Sequence, residues 1–331
     1  MGWTTVWSHA QRGIAHHCAS KGTVQLTLRQ IVPAKKIRLV FKNEYGTQKQ
    51  KIQNLSFKTN EKSEMIPDFT IDPGEIVKTA SILIDPKAEK WQICFHVSTS
   101  ESGFSYEDAD IFTGAREMDF CSGLMAIEAE ITGQCVVAFG DSLTEGATWT
   151  APLQRSLRKQ NIYLVNQGIN GSCLLKSNSD ISTKDSQNFF YGYSGVQRLK
   201  NCLNSHCNVE KVIIFIGIND LINGELTLES FQVEIEKMIQ LCERYNVAYQ
   251  LCTLTPCLGY LEMNEAKEVL RKEINTWLIR NFDDLWDFST IVEGTQGCLK
   301  RTFDSGDHLH FNAIAGLAIA RQISSDFVKG E

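Results

Sequence analysis

Ser142 stands in the string Gly140-Asp141-Ser142-Leu143-Thr144-Glu145-Gly146, directly after the apolar run Cys135-Val136-Val137-Ala138-Phe139 and ahead of a helical pattern near Pro152 to Lys159. A serine on such a strand-to-helix turn is exposed: the glycines allow tight backbone geometry, and the helix start offers N–H groups to a developing anion. A hydroxyl is a poor nucleophile until a base takes its proton, and an imidazole does this well when a carboxylate fixes its other nitrogen. Asp307-His308-Leu309-His310 supplies both groups, with Asp307 and His310 three positions apart and within reach on a tight turn. His308 is a second candidate base, ranked lower because an extended loop would turn it away from position 310. The Asp/His pair also fits a metal site or a helix-start cap. Metal is the weaker alternative, since no further ligands stand at suitable spacing and the cysteines form no CxxC pair. No metal and no cofactor are expected.

Two more clusters, Asn166-Gln167-Gly168-Ile169-Asn170-Gly171 and Gly217-Ile218-Asn219-Asp220, follow apolar runs. Both are rich in turn-forming residues and fit plain turns. A glycine N–H and an asparagine carboxamide are also neutral donors that can converge on an oxyanion. The four clusters are expected in order at four strand ends of one sheet, a joint arrangement much rarer by accident than any one of them.

The elements that must position these residues lie in the part after residue 132. Cys135–Phe139, 162–165, 212–216 and 248–252 are short continuous apolar runs of the kind buried on both faces of a parallel sheet. Helical patterns separate them. One starts at the cap residue Thr227 and carries Leu228, Phe231, Ile235, Met238, Ile239 and Cys242 on a stripe; another carries Ala266, Leu270, Ile274, Trp277 and Leu278; the last runs from Asn312 to Ile323. The alternation predicts a doubly wound, flavodoxin-like α/β sheet with ligands at the carboxyl ends of its strands. From about residue 20 to 131 the apolar period is instead two, as in Val24, Leu26, Leu28; Ile37, Leu39, Phe41; Trp91, Ile93, Phe95, Val97; and Ile127, Ala129, Ile131. That half is expected to be an antiparallel β-sandwich of jelly-roll type, which gives domains at 1–131 and 132–331.

The 331 residues carry a net charge of −6, with 43% hydrophobic and 22% charged residues, an ordinary globular composition. Without a dense Lys/Arg run, nucleic acid is not an expected partner. No apolar stretch is long enough to span a bilayer, so no membrane association is expected either. Met1 to His9 lacks the basic and apolar regions of a secretory signal, which predicts a cytoplasmic location; a leader already removed would leave the same sequence. The 11 cysteines fit a reducing compartment, with Cys94, Cys135, Cys242 and Cys252 read as small buried apolar residues.

On these blocks, the carboxyl-terminal 200 or so residues resemble the SGNH/GDSL hydrolases. The resemblance makes Ser142 the nucleophile, Gly171 and Asn219 oxyanion donors, and Asp307 and His310 the acid–base pair. The segment from Asp304 to Asn312, with Leu28-Arg29-Gln30-Ile31-Val32 and Asn43-Glu44-Tyr45-Gly46-Thr47, is further similar to the subgroup with an amino-terminal β-sandwich, akin to a xylanase-associated esterase. Phe311 departs from the proline usual after the histidine, which loosens the histidine loop without removing a reacting atom.

The resemblance implies a serine esterase that acts through an acyl-enzyme on short, acetyl-type acyl groups, with an acylated sugar as the candidate small-molecule partner. Two alternatives stand beside it: a carbohydrate-binding protein whose hydrolase half is incidental, and a thioesterase or lysophospholipase using the same chemistry. Phe189, Phe190, Tyr191, Tyr193 and Tyr260 are candidates either for an aromatic substrate platform or for ordinary packing. The alcohol half of the substrate, the acyl length and the oligomeric state are not read from the sequence.

Overall fold

The computed structural model describes residues 2–14, 22–29, 32–59, 62–88, 90–98, 101–105, 110–113, 116–117, 121–177 and 189–329. Gln30 and Ile31, which contributed to the subgroup resemblance, lie outside the described residues. The chain packs into two units, one of residues 1–135 with 178–192 and 205–208, the other of 136–177, 193–204 and 209–331.

In the first unit the alternating patterns become antiparallel strands. Gly2–Ser8, Leu124–Ile131, Lys36–Lys42 and Ile76–Lys78 lie side by side in that order, and Ile82–Leu83 also pairs with Lys36–Lys42. A second sheet runs Arg116–Glu117, Asp110–Thr113, Gly22–Arg29, Lys90–Val97, Gln50–Lys58 and Ser63–Ile66, with Phe69–Ile71 also on Gln50–Lys58. In it Ile93 sits opposite both Leu26 and Phe57. The inward faces meet where Phe41 of the first sheet crosses Phe95 of the second edge to face, with ring centroids 5.4 Å apart. Both rings are fully buried, as the alternation requires.

The strand Gly2–Ser8 escapes the period-two pattern because its last five residues are all buried. Cys94 corrects a sequence-based expectation: it is half-buried rather than a core residue, because it alternates with Ile93 and Phe95 and takes the opposite face of its strand. Cys135, Cys242 and Cys252 are buried. Residues 205–208 join this unit through polar contacts: the His206 ring meets the Ser8 hydroxyl at 2.8 Å, and the Cys207 N–H donates to the Thr5 hydroxyl at 2.8 Å.

The second unit is built on a five-stranded sheet of β1 (Gln134–Gly140), β2 (Ile162–Gly168), β3 (Val209–Phe215), β4 (Ala248–Cys252) and β5 (Leu285–Trp286). Its order is β2-β1-β3-β4-β5, and β3, β4 and β5 pair in parallel. This is the flavodoxin-like order, whose switch point lies beside β1. Two-residue β5 has no pattern long enough to be read from sequence.

The helices are α1 (Ser142–Glu145), α2 (Thr150–Leu157), α3 (Gly195–Ser205), α4 (Ile218–Asn223), α5 (Leu228–Arg244), α6 (Glu265–Asn281), α7 (Phe288–Val292) and α8 (Ala313–Lys329). Thr227 caps α5 in a reciprocal capping box with Ser230. The Asn312 side chain accepts the Ile314 and Ala315 N–H groups at the start of α8. No helix among the described residues is long and apolar enough to cross a membrane.

Candidate active site

Ser142 is the first residue of α1, immediately beyond β1, and Asp141 caps that helix by accepting the Leu143 N–H at 3.0 Å. The turn is held by atoms around it rather than by its own short helix. The Trp149 indole donates to the Leu143 carbonyl at 2.9 Å, and the Asn166 carboxamide donates to the Thr144 carbonyl at 2.7 Å. Gly168 at the end of β2 runs so close beneath the turn that a Cβ there would stand 2.2 Å from the Glu145 nitrogen, a backbone atom with no room to move. The Glu145 carboxylate in turn takes the Asn170 N–H at 2.6 Å, tying the loop after β2 to the serine turn.

The imidazole of His310 reaches this turn from the loop before α8. Its Nε2 lies 2.8 Å from the Ser142 hydroxyl, and its Nδ1 lies 2.5 Å from Asp307 Oδ2. The other Asp307 oxygen accepts the backbone N–H groups of Leu309 and His310 at 3.0 and 2.9 Å. Burial pushes the Asp307 carboxyl up, but the hydrogen bonds from the His310 ring and from these two N–H groups outweigh it. They hold the carboxyl well below the usual range, so it is ionised at neutral pH.

His308 is not turned away by an extended loop. Its φ is +69°, and its ring Nδ1 pairs with Asp304 Oδ2 at 2.7 Å. The four residues Asp304, Asp307, His308 and His310 therefore form two separate carboxylate–imidazole pairs, of which the second meets the serine. Phe311, standing where proline is usual, is buried and stacks on Phe215 with centroids 6.5 Å apart. Ring packing thus anchors the loop that proline would have stiffened.

Gly171 and Asn219 come together at the neighbouring strand ends. The Asn219 carboxamide donates one N–H to the Ser172 carbonyl at 2.9 Å, which fixes the orientation of its second N–H. Asp220, fully buried, accepts the Leu174 and Leu175 N–H groups at 2.7 and 2.9 Å, pinning the loop that carries Gly171. Burial raises its carboxyl above the usual range against those two donors.

Arg198 of α3 escapes the sequence reading altogether, as one charged residue in a helical stretch. It is buried and donates to the Gly140 carbonyl at 3.0 Å, the Ser172 hydroxyl at 2.6 Å and the Gln167 carbonyl at 2.6 Å, joining β1, β2 and the Gly171 loop.

Among the aromatic candidates, Phe189 packs on Tyr45 with centroids 5.6 Å apart and Phe190 lies under the Arg12 guanidinium at 5.0 Å, both within the first unit. Tyr260 is half-buried in the loop after β4.

Asp141 carries a measurable consequence. Burial, its largest influence, pushes the carboxyl up to about 7 against the Leu143 N–H and the charge of Arg198. The folded value lies above the unfolded one, so between about pH 4 and pH 7 the native state keeps a proton that the unfolded chain has lost. Stability therefore falls as pH rises through this window and levels off above it. Asp141→Asn keeps the capping oxygen and loses the titration. Its urea unfolding free energy is expected to be flatter than that of wild type between pH 5 and pH 7.5; equal slopes would reject the assignment.

Residues 138–315 match the GDSL-like lipase/acylhydrolase family. The chain belongs to that family. It is a carboxylic ester hydrolase, as the sequence blocks implied. No curated protein matches it. Solved structures similar to it include a carbohydrate acetylesterase from Sinorhizobium meliloti, 16% identical with a TM-score of 0.46 over 59% of this chain and 99% of that one. An aryl esterase from M. smegmatis is 16% identical with a TM-score of 0.47 over 60% and 99% of the two chains. A GDSL-like lipase from Bacteroides thetaiotaomicron is 17% identical with a TM-score of 0.44 over 60% and 89%.

Proposed function

We propose that this hydrolase is a serine esterase that removes short, acetyl-type acyl groups through an acyl-enzyme, with acylated carbohydrate as its substrate class. The observation that carries the reading is the unbroken relay from Asp307 through His310 to the Ser142 hydroxyl, with contacts of 2.5 and 2.8 Å. Ser142 Oγ attacks the ester carbonyl while His310 Nε2 takes its proton. His310 then gives that proton to the departing alkoxide, which leaves as the alcohol. Water, deprotonated by the same nitrogen, attacks the acyl-serine; collapse releases the acid and returns the proton to Ser142. Asp307 holds the ring so that Nδ1 keeps its hydrogen and Nε2 presents its lone pair.

The negative oxygen of each tetrahedral intermediate is taken by the backbone N–H groups of Ser142 and Gly171 and by the outward N–H of Asn219. The Ser172 carbonyl aims that carboxamide beforehand, so no reorganisation is needed when charge develops. Asn219→Ala is expected to lower kcat about a hundredfold with little change in KM, the effect of losing one oxyanion donor. Steady-state kinetics on phenyl acetate measure it, and a change under threefold removes Asn219 from the role.

Turnover compared across acetyl, butyryl and octanoyl aryl esters tests the acyl preference. A rate that rises with chain length would favour a lysophospholipase-like activity, and no turnover of any ester would overturn the proposal. The cysteine usage supports a reducing, cytoplasmic location.

A further inference from the structure

We propose that His308 binds the alcohol half of the ester, its Nε2 accepting a hydrogen bond from a hydroxyl of a polyol or sugar leaving group. The inference rests on the esterase reading above and extends it to the substrate's alcohol.

The loop from Phe303 to Asn312 is closed by its backbone. The Ser305 N–H donates to the His310 carbonyl at 3.0 Å, the Asn312 N–H to the Phe303 carbonyl at 2.9 Å, and Asp304 bridges Phe311. Asp304 Oδ1 also takes the Gly306 and His308 N–H groups at 2.7 and 3.0 Å. These contacts suffice to shape the loop, yet Asp304 Oδ2 is committed to the His308 ring at 2.7 Å. The residue that bears the ring sits at φ +69°, a conformation side-chain-bearing residues mostly avoid, and strain of this kind gathers where a ligand is held.

The ring is also given its place from outside the loop. Gly259, in the segment after β4, lies against it, and a Cβ at that position would stand 3.2 Å from the ring's Cγ. Tyr260 follows, near enough that the Asp307 charge helps burial and Glu262 to raise its phenol. The His308 ring is therefore held between the Asp304 carboxylate of its own loop and Gly259 of the segment after β4.

The clamp decides the chemistry of the exposed nitrogen. With Nδ1 turned to Asp304, the ring presents Nε2 outward: no described residue hydrogen-bonds it, and the side chain is 55% exposed. An oriented imidazole nitrogen on the loop that carries His310 suits a hydroxyl partner. A phenyl leaving group has no hydroxyl to offer, so the contact discriminates between alcohols rather than accelerating the acyl chemistry.

The test compares wild type with His308→Asn and His308→Gly on monoacetylated xylose and on phenyl acetate. Asparagine and glycine both accept the left-handed backbone, so the loop keeps its shape while the imidazole is lost. Thermal melts of both variants report on the fold. The expected result is a fall of about tenfold in kcat/KM on acetylated xylose, carried mostly by KM, with phenyl acetate unchanged within twofold. An equal loss on both esters in both variants shows that His308 only holds the loop and overturns the proposal. So does no loss on either ester, or wild-type turnover of phenyl acetate alone. Absence of wild-type turnover on both esters is a separate result: it sinks the esterase reading and this proposal with it.

Discussion

Ser142→Ala is expected to lower kcat on phenyl acetate by about four orders of magnitude or more, while the protein melts as wild type does. The size follows from chemistry: the variant has no atom with which to form the acyl-enzyme, and the remaining residues assist only a slow direct attack by water. The intact fold follows from the contacts. The Ser142 hydroxyl is half-buried and its side-chain partner is His310, whereas the turn itself is held by Asp141, Trp149 and Asn166. Because nucleophile and base act as one unit, the double variant Ser142→Ala, His310→Ala should be no slower than the single one. Stopped-assay kinetics beside circular dichroism decide it. Activity within tenfold of wild type in a folded Ser142→Ala protein would move the nucleophile elsewhere.

The residues proposed to touch the reacting atoms were the legible ones. A Gly-Asp-Ser turn, a glycine, an asparagine and an Asp-x-x-His pair each keep the same short-range neighbours in sequence and in space, because each sits in one short turn; the first three follow strands of the sheet, whereas the Asp-x-x-His pair, expected at a strand end too, lies beyond α7 in the loop before α8. The parallel strands were legible for a related reason: a strand buried on both faces is a continuous apolar run, as in β1 and β3. What joins the turns to one another was not legible. Arg198 serves three segments that are far apart in sequence, and nothing local separates a buried arginine with three acceptors from a solvated one on a helix face. Asp220 was visible only as part of a turn, although its two accepted N–H groups shape the loop after β2.

Position 308 shows how a ranking can rest on the wrong geometry. In extended backbone, side chains two positions apart share a face, so extension by itself would not have parted the two histidines. The loop is instead tightly turned, and His308 is set apart because Asp304 takes its ring. A carboxylate four residues back was in the sequence, but only a positive φ at position 308 brings the two together. In the first unit, the addition of 205–208 was equally hidden, since its bonds to Thr5 and Ser8 span about two hundred residues.

Asp307→Asn should be nearly as damaging as loss of the serine, with kcat reduced about ten-thousandfold in a folded protein, as expected for a carboxylate that sets an imidazole's tautomer. The asparagine oxygen can keep the Leu309 and His310 N–H groups that Asp307 Oδ1 now accepts. Its amide nitrogen then faces His310 Nδ1, where the carboxylate oxygen stood. Two donors cannot share that contact, so Nδ1 becomes the acceptor and the ring's hydrogen moves to Nε2, the nitrogen that must take the serine proton. Asp307→Ala, which leaves the tautomer unconstrained, should therefore be no slower than Asp307→Asn. A pH signature accompanies the rate. The folded carboxyl lies below its unfolded value because hydrogen bonds from His310 and Leu309 outweigh burial. Its contribution to stability is thus complete above the ordinary carboxylate range and is lost as pH falls toward the folded value. Solvent screening keeps that contribution small, since the Asp307 side chain is 43% exposed. Wild type should hold a modest stability advantage over Asp307→Asn at pH 7 that shrinks as the solution is acidified below about pH 4. An asparagine variant within tenfold of wild-type kcat, or an advantage that grows in acid, would break the link between this carboxylate and the imidazole it holds.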